Sequence, residues 1–483
     1  MNSSTIAQHH PFQPLTGGFL AMLSIGTFGY LLYRFGNAPH ISLAGLVFCA
    51  FVIGTTVYGI IQHRQNASPT HHKLLAIGIL TSAYVLAFSF STHLWEGLAI
   101  IQHDNSDHTS NYLVWDRSGT SQEKVDLPLK AFHIDGDEGA HLAAVQALRD
   151  SKGNLVELKE HIQKPNGNNK AYWINRSLKG HPLGFHLLYL PASSSPPFAR
   201  IMASCVFLAA IGAAYWAGQC LDSRHHFGLL TSAIFATTAH LFWFHGFRVS
   251  SDVAPCIPTF LAIGSLWKSV NNKNEALHYI KLSALYLTIA CFITHTASLV
   301  VMGFIPLLWL HHRRQFWEYA LWIIVPTFLI TIFGIALSAY IVGPENHGII
   351  GRFFQETGQA KEFNNEGKDL FWMLKRLPRD LGIPILGFLI WSLAIIIRSS
   401  FDNRANLFVL ASAFAILIPA TTLFFAEIRY TYPGWILIIT GLGGHKAWKS
   451  FTASQRSILV SCFITFVLVK FMCLRTELAH AAN

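Results

Sequence analysis

The chain has 483 residues, of which 52% are apolar and only 12% charged, with a mean hydropathy of +0.38. A soluble domain carries about 25% charge, so this composition excludes an ordinary water-soluble enzyme and predicts a polytopic membrane protein. The formal charge of +10 would point to nucleic acid in a soluble protein; here the positions of the charges matter more than their sum, and no nucleic-acid partner is expected.

A helix needs about 20 apolar residues to cross the hydrocarbon of a bilayer, and the chain offers about 13 such blocks: 17–33, 41–62, 74–101, 201–218, 227–244, 252–267, 282–293, 297–310, 319–342, 381–397, 407–425, 431–444 and 458–474. The N-terminal stretch lacks a basic n-region, so the first block is expected to stay as a helix. The pair flanking His295 is short and reads as half-helices or tilted segments. The seven cysteines lie in or beside apolar blocks and form no C-x-x-C pair, so they indicate neither a metal site nor a redox compartment.

With the N-terminus inside, the short inner loops hold Arg64, Lys73, Arg224, Lys268, Lys273, Lys281, Arg313, Arg314, Arg398, Arg404, Lys446, Lys449 and Arg456, against Arg34, Arg248 and Arg429 in short outer loops. This bias follows the positive-inside rule and puts two long polar stretches, 102–180 and 343–380, outside. The expected organisation is two N-terminal spans over 1–73, a catalytic membrane region over 74–343 that includes the outer loop 102–180, a second outer loop over 344–380, and C-terminal spans over 381–483. No phosphate-binding glycine loop, dinucleotide fingerprint or internal repeat is present, which argues against an ATP-driven pump. The span centres are nearly free of charge, whereas a secondary transporter would carry intramembrane ionisable residues. A transporter, or a non-catalytic partner in cell-envelope polysaccharide assembly, is the competing expectation.

The polar residues that remain collect at the outer rim. His133-Ile-Asp135-Gly-Asp137-Glu138-Gly-Ala-His141 opens a helical pattern in which Leu142, Val145 and Leu148 share a face, predicting a short amphipathic helix along the membrane surface. Either Asp135 or Asp137 can cap that helix, and a carboxylate so fixed is also well oriented as a base. Lys179-Gly-His181-Pro182-Leu183-Gly-Phe-His186 heads an apolar run too short to cross, expected to be interfacial or re-entrant; Arg200 then opens a span. Trp243-Phe-His245-Gly-Phe-Arg248-Val-Ser-Ser-Asp252, His295-Thr296 and Glu427-Ile-Arg429-Tyr430 fall at later outer edges. Each has a plain interfacial reading as a snorkelling arginine, aromatic belt or local ion pair; together they place Arg248, His295 and Arg429 on the face of the acidic loop, at the depth of a lipid phosphate.

In this order the landmarks resemble the GT-C type glycosyltransferases that use lipid-phosphate sugars, in particular protein O-mannosyltransferases and the bacterial enzymes that move aminoarabinose onto lipid A. The resemblance rests on Asp137-Glu138, His181-Pro182-Leu183, Arg200-Ile-Met-Ala, Arg248-Val-Ser-Ser-Asp252 and Arg429-Tyr430, and spans about 74–474. It departs from that pattern in lacking a second proline after Pro182, in reading His295-Thr296 where a Lys-Gly turn is common, and in its two extra N-terminal spans. The resemblance implies an all-α, GT-C-like membrane fold with juxtamembrane helices in the first outer loop. It further implies inverting transfer from a polyprenyl-phosphate-linked sugar to a hydroxyl of a glycolipid, glycan or protein. Asp137 would be the base and Glu138 its neighbour. Arg429, with Arg248, Arg200 or Lys179, would bind the donor phosphate, and His141, His181, Tyr430, His295 and Asp252 would contact substrate. Related oligosaccharyltransferases use such acids with a divalent ion, so Asp135, Asp137 and His141 form an alternative Mn²⁺ or Mg²⁺ set; the expectation is no cofactor, with arginine neutralising the phosphate. A bacterial inner membrane with the site facing the periplasm is the expected location.

Overall fold

A computed structural model describes residues 98–101, 112–113, 132–134, 136–163, 177–178, 181–193, 196–223, 249–344 and 432–441, with isolated positions at 227–228, 231, 235, 386–387, 390, 394 and 412–413. Its long elements are helices, and three of the stretches in them, Ile201–Leu221, Lys273–Ile293 and Phe316–Val342, are long and apolar enough to cross a membrane. The expected spans at 17–33, 41–62 and 458–474 lie outside the described residues.

Three short strands come first: β1 (Leu98–Ile101), β2 (Tyr112–Leu113) and β3 (Phe132–Ile134). They form one sheet in the order β2-β1-β3, antiparallel between β1 and β2 and parallel between β1 and β3, with Leu98 opposite Phe132 and Ile100 opposite Ile134. Residues 98–101 were expected as the end of a span and are instead a strand, because a short continuous apolar run fits either state. The sheet's role is positional: β3 ends two residues before helix α1 (Gly136–Asp150) and so delivers the acidic turn to that helix's first turn.

Helix α1 turns into α2 (Leu155–Gln163) through Lys152 and Gly153, both at positive φ. Gly153 donates its N–H to the Leu148 carbonyl at 3.1 Å, closing α1 in the left-handed manner glycine favours. Asn154 then opens α2: its side-chain oxygen accepts from Val156 N–H at 3.1 Å while its amide reaches Glu157 at 3.1 Å, a reciprocal cap. Next come α3 (Leu183–Leu188), a 3-10 turn over Leu190–Ala192 and α4 (Pro196–Leu221).

The remaining helices are α5 (Cys256–Asn271), α6 (Ala276–Ile293), α7 (Val301–His311), α8 (Phe316–Val342) and α9 (Tyr432–Gly441). The short block expected at 282–293 is the second half of a full crossing that starts at Lys273. Lys281 did not end the helix because its ammonium stacks over the Trp322 ring, 4.6 Å from the centroid, leaving its aliphatic stem along apolar surface. The block expected at 297–310 begins as a 3-10 turn over His295–Val300 and continues as α7.

Small residues set the close packing of α4 on α5. Ala210, Ala213, Ala214 and Ala217 are buried along α4, and a Cβ at Gly264 of α5 would collide with the Trp216 ring, as expected where backbones approach closely in an apolar medium. By contrast, α8 leaves Trp317, Leu321, Phe328, Leu329, Ile332 and Phe333 exposed. Such a continuous apolar face is unsuited to water and suited to hydrocarbon.

The two ends of this bundle differ. Asn271 donates to the Cys220 carbonyl at 2.8 Å, and Ser269 and His312 are hydrogen-bonded at 3.2 Å, so the end of α4, the end of α5 and the α7–α8 turn share one end. Lys268, Lys273, Lys281, Arg313 and Arg314 collect there. Helices α1, α2 and α3 pack on the other.

Candidate functional site

The site is built where α1 enters the bundle. Helix α1 begins at Gly136, which puts Asp137 and Glu138 in its first turn, where carboxylates complement the helix dipole. Asp137 is therefore inside the helix, and the position before the first helical residue is Asp135, which lies outside the described residues. His141 follows Asp137 by four residues, about one turn.

A surface-lying amphipathic helix is not what forms. Leu142 and Val145 pack with Phe185, Tyr189, Ala199, Ala203, Val249 and Ala254, while Ala143, Ala144, Ala147 and Leu148 pack with Leu158, Leu178, Leu183, Ile341 and Val342. Helix α1 is thus buried on two sides, wedged between the start of α4 and the end of α8. Leu142 and Val145 share the face their spacing predicts, but Leu148, expected with them, packs instead with the alanines, whose face was not legible.

Helix α3 lies under α1. Its Phe185 and His186 are fully buried, and a Cβ at Gly184 would run into the Phe292 carbonyl oxygen in the last turn of α6. The short run headed by Pro182 is therefore fixed backbone to backbone on a long helix; that helix ends at its cap Thr294, and the next residue, His295, is itself buried.

Around α3 a polar chain runs through an otherwise apolar packing. The His141 Nδ1 and Ser177 Oγ atoms are 2.8 Å apart, Ser177 Oγ and His186 Nε2 are 2.7 Å apart, and His186 Nδ1 meets the Pro182 carbonyl at 3.2 Å. The His141 ring stands edge-on to His181 and Phe185, with centroids at 5.0 Å and 4.7 Å. His181 reaches Ser251 through Nε2 at 3.5 Å. Next to Ser251, Ser250 donates to the Asp252 carboxylate at 3.1 Å and accepts the Asp252 N–H at 3.2 Å, so the buried Asp252 carboxylate is held by its own turn. Burial, followed by the neighbouring His181, pushes His186 down to about 3 despite its hydrogen bond to the Pro182 carbonyl; its imidazole is neutral at physiological pH.

Of the expected site residues, His141, His181 and Asp252 are brought to one end of the bundle, and His295 lies at the same end, beyond the α6 turn that holds Gly184. Asp137 and Glu138 are placed by their helix, as is Arg200 in the first turns of α4; nothing is described of these three side chains. Lys179, Arg248, Arg429 and Tyr430 lie outside the described residues. In the alternative metal set, His141 is the one member with a described side chain, and Nε2 is the nitrogen it would offer, since Nδ1 is engaged by Ser177. Among the described residues no three His, Cys, Asp or Glu side chains group as metal ligands.

Sequence reasoning missed Ser177, His186 and Ser251. His186 stood in the quoted His-Pro-Leu segment without a role, and nothing in the spacing of Ser177 sets it apart from the other serines of the loop.

The fold defines a helical membrane protein with a buried histidine and serine cluster at the end of the bundle opposite its basic collar. No protein-family model, no curated protein and no solved structure matches the chain.

Proposed function

We propose that this protein is an inverting glycosyltransferase of GT-C type that moves a sugar from a polyprenyl-phosphate donor to an acceptor hydroxyl. The observation that carries the reading is convergence: the helix bearing Asp137, Glu138 and His141, the segment bearing His181, and the turn bearing Asp252 meet at the bundle end away from Lys268, Lys273, Lys281, Arg313 and Arg314. Basic residues favour the cytoplasmic side, so this arrangement favours an outward-facing site, in a bacterial inner membrane opening to the periplasm.

In this mechanism the acceptor hydroxyl oxygen attacks C1 of the sugar, the bond from C1 to the phosphate oxygen breaks, and the electron pair leaves with the lipid phosphate. The hydroxyl proton passes to the Asp137 carboxylate as the new bond forms. A single displacement inverts C1. Charge grows on the departing phosphate, and Arg429, helped by Arg248, Arg200 or Lys179, would stabilise it through charge-assisted hydrogen bonds. No metal is required by this scheme; the Asp135, Asp137 and His141 set is its metal-assisted variant.

The test is mass spectrometry of polyprenyl phosphate released from a panel of polyprenyl-phosphate sugars with cell-envelope acceptors, for the wild type and Asp137→Asn, with and without EDTA. Release that falls by about 100-fold or more in Asp137→Asn supports the reading, and the EDTA arms separate the arginine-only from the metal-assisted scheme. No release from any donor by folded wild-type protein would refute it.

A further inference from the structure

The hydrogen-bond chain at the site has a direction that its chemistry dictates. A carbonyl oxygen can only accept, so the His186 nitrogen facing the Pro182 carbonyl, Nδ1, must carry a proton. His186 is fully buried and kept neutral, which leaves its Nε2 bare and able only to accept. The Ser177 hydroxyl has one proton, and at 2.7 Å it goes to that bare nitrogen. The Ser177 oxygen then has only acceptor capacity left for His141 at 2.8 Å, so His141 Nδ1 must be the donor. With His186 buried and neutral, running the chain the other way would require the Pro182 carbonyl to donate.

We infer that Ser177 and His186 are positioning residues which hold His141 in its Nδ1–H tautomer, so that Nε2 is the ring atom that accepts a hydrogen bond from a hydroxyl-bearing ligand, the acceptor substrate of the proposed transfer. The ring is also fixed in place, edge-on to Phe185 and His181. Uptake of a proton at Nε2 leaves all three hydrogen bonds unchanged, because Nδ1 already carries its own. A proton on His186 Nε2 would instead displace the Ser177 proton and reverse the link. The chain therefore assigns the two imidazoles different duties: His186 stays neutral and orients, and His141 meets the ligand. The ligand part of this inference rests on the glycosyltransferase reading; the tautomer part does not.

The experiment is nitrogen NMR of full-length protein labelled at histidine in lipid nanodiscs, with His141 assigned by its loss in His141→Gln. The wild type should show His141 protonated at Nδ1 and bare at Nε2. Ser177→Ala should convert it to a mixture of tautomers, and Ser177→Thr, which keeps the hydroxyl, should restore the single species. A wild-type His141 protonated at Nε2, or a tautomer unmoved by Ser177→Ala, would overturn the inference, and the wild-type spectrum decides even where Ser177→Ala yields no folded protein. In the transfer assay Ser177→Ala should lower kcat/KM for the acceptor by about tenfold or more, the loss seen when the partner that orients a functional histidine is removed, with Ser177→Thr within about threefold of wild type on the same scale. A changed tautomer with unchanged kcat/KM would refute the ligand-binding role. A wild type inactive on every donor would sink the glycosyltransferase reading, and with it the ligand assignment, while the NMR arm still decides the relay.

Discussion

The neutral, buried imidazole of His186 makes stability depend on pH in a way that can be calculated. An unfolded histidine titrates near 6.5, whereas His186 in the folded protein is held at about 3 by burial and by His181. Above pH 6.5 both states are neutral there and the residue adds no pH dependence. As pH falls below 6.5 the unfolded chain takes up a proton that the native site refuses, and stability is lost at about 1.4 kcal/mol per pH unit. At pH 5 the loss is about 2 kcal/mol, and it reaches about 4 kcal/mol at pH 3. The assay is thermal or denaturant unfolding in detergent at pH 8, 6.5 and 5 for the wild type and His186→Gln. Glutamine offers Ser177 an acceptor but cannot titrate. The other histidines are common to both proteins, so the wild type should lose about 2 kcal/mol more than the variant between pH 8 and pH 5. Equal losses would refute the claim that His186 is buried neutral, and a smaller loss for the wild type would reverse it.

Gly184→Ala forces a methyl group onto the Phe292 carbonyl, which is backbone and cannot rotate away; this should cost about 2 to 3 kcal/mol, read as a lowered melting temperature and poorer monodispersity in size-exclusion chromatography. Arg429→Ala should reduce donor turnover by about 100-fold or more, the usual loss for a donor that stabilises a developing oxyanion, in the polyprenyl-phosphate release assay; unchanged dependence on donor concentration and rate would remove Arg429 from the phosphate site.

The long helices were legible because their apolar residues outrun any other explanation: 316–342 and 201–221 are too apolar for a soluble chain. Length was misjudged at α6 because Lys273 and Lys281 looked like loop residues. A lysine ends an apolar count, yet its four-carbon stem lies comfortably on a helix when the ammonium finds an aromatic face, as Lys281 does on Trp322. The strand at 98–101 was hidden for the opposite reason, since its apolar run simply continues the block before it. In the polar cluster, His141 and the histidine and proline segment were visible as residue types along the chain. The bridge through Ser177 was not, because it exists only once 177 and 186 are folded against α1. The second buried face of that helix was equally silent, since alanines report close approach without announcing it.

Gly184 has a consequence for how the site senses its surroundings. The segment carrying His181 and His186 is pinned to the final turn of α6, where Gly184 leaves no room for a Cβ against the Phe292 carbonyl and ring. A bilayer of different thickness that tilts α6 carries that segment with it, and through Ser177 carries the His141 ring as well. The orientation of the His141 ring is thereby coupled to the tilt of α6.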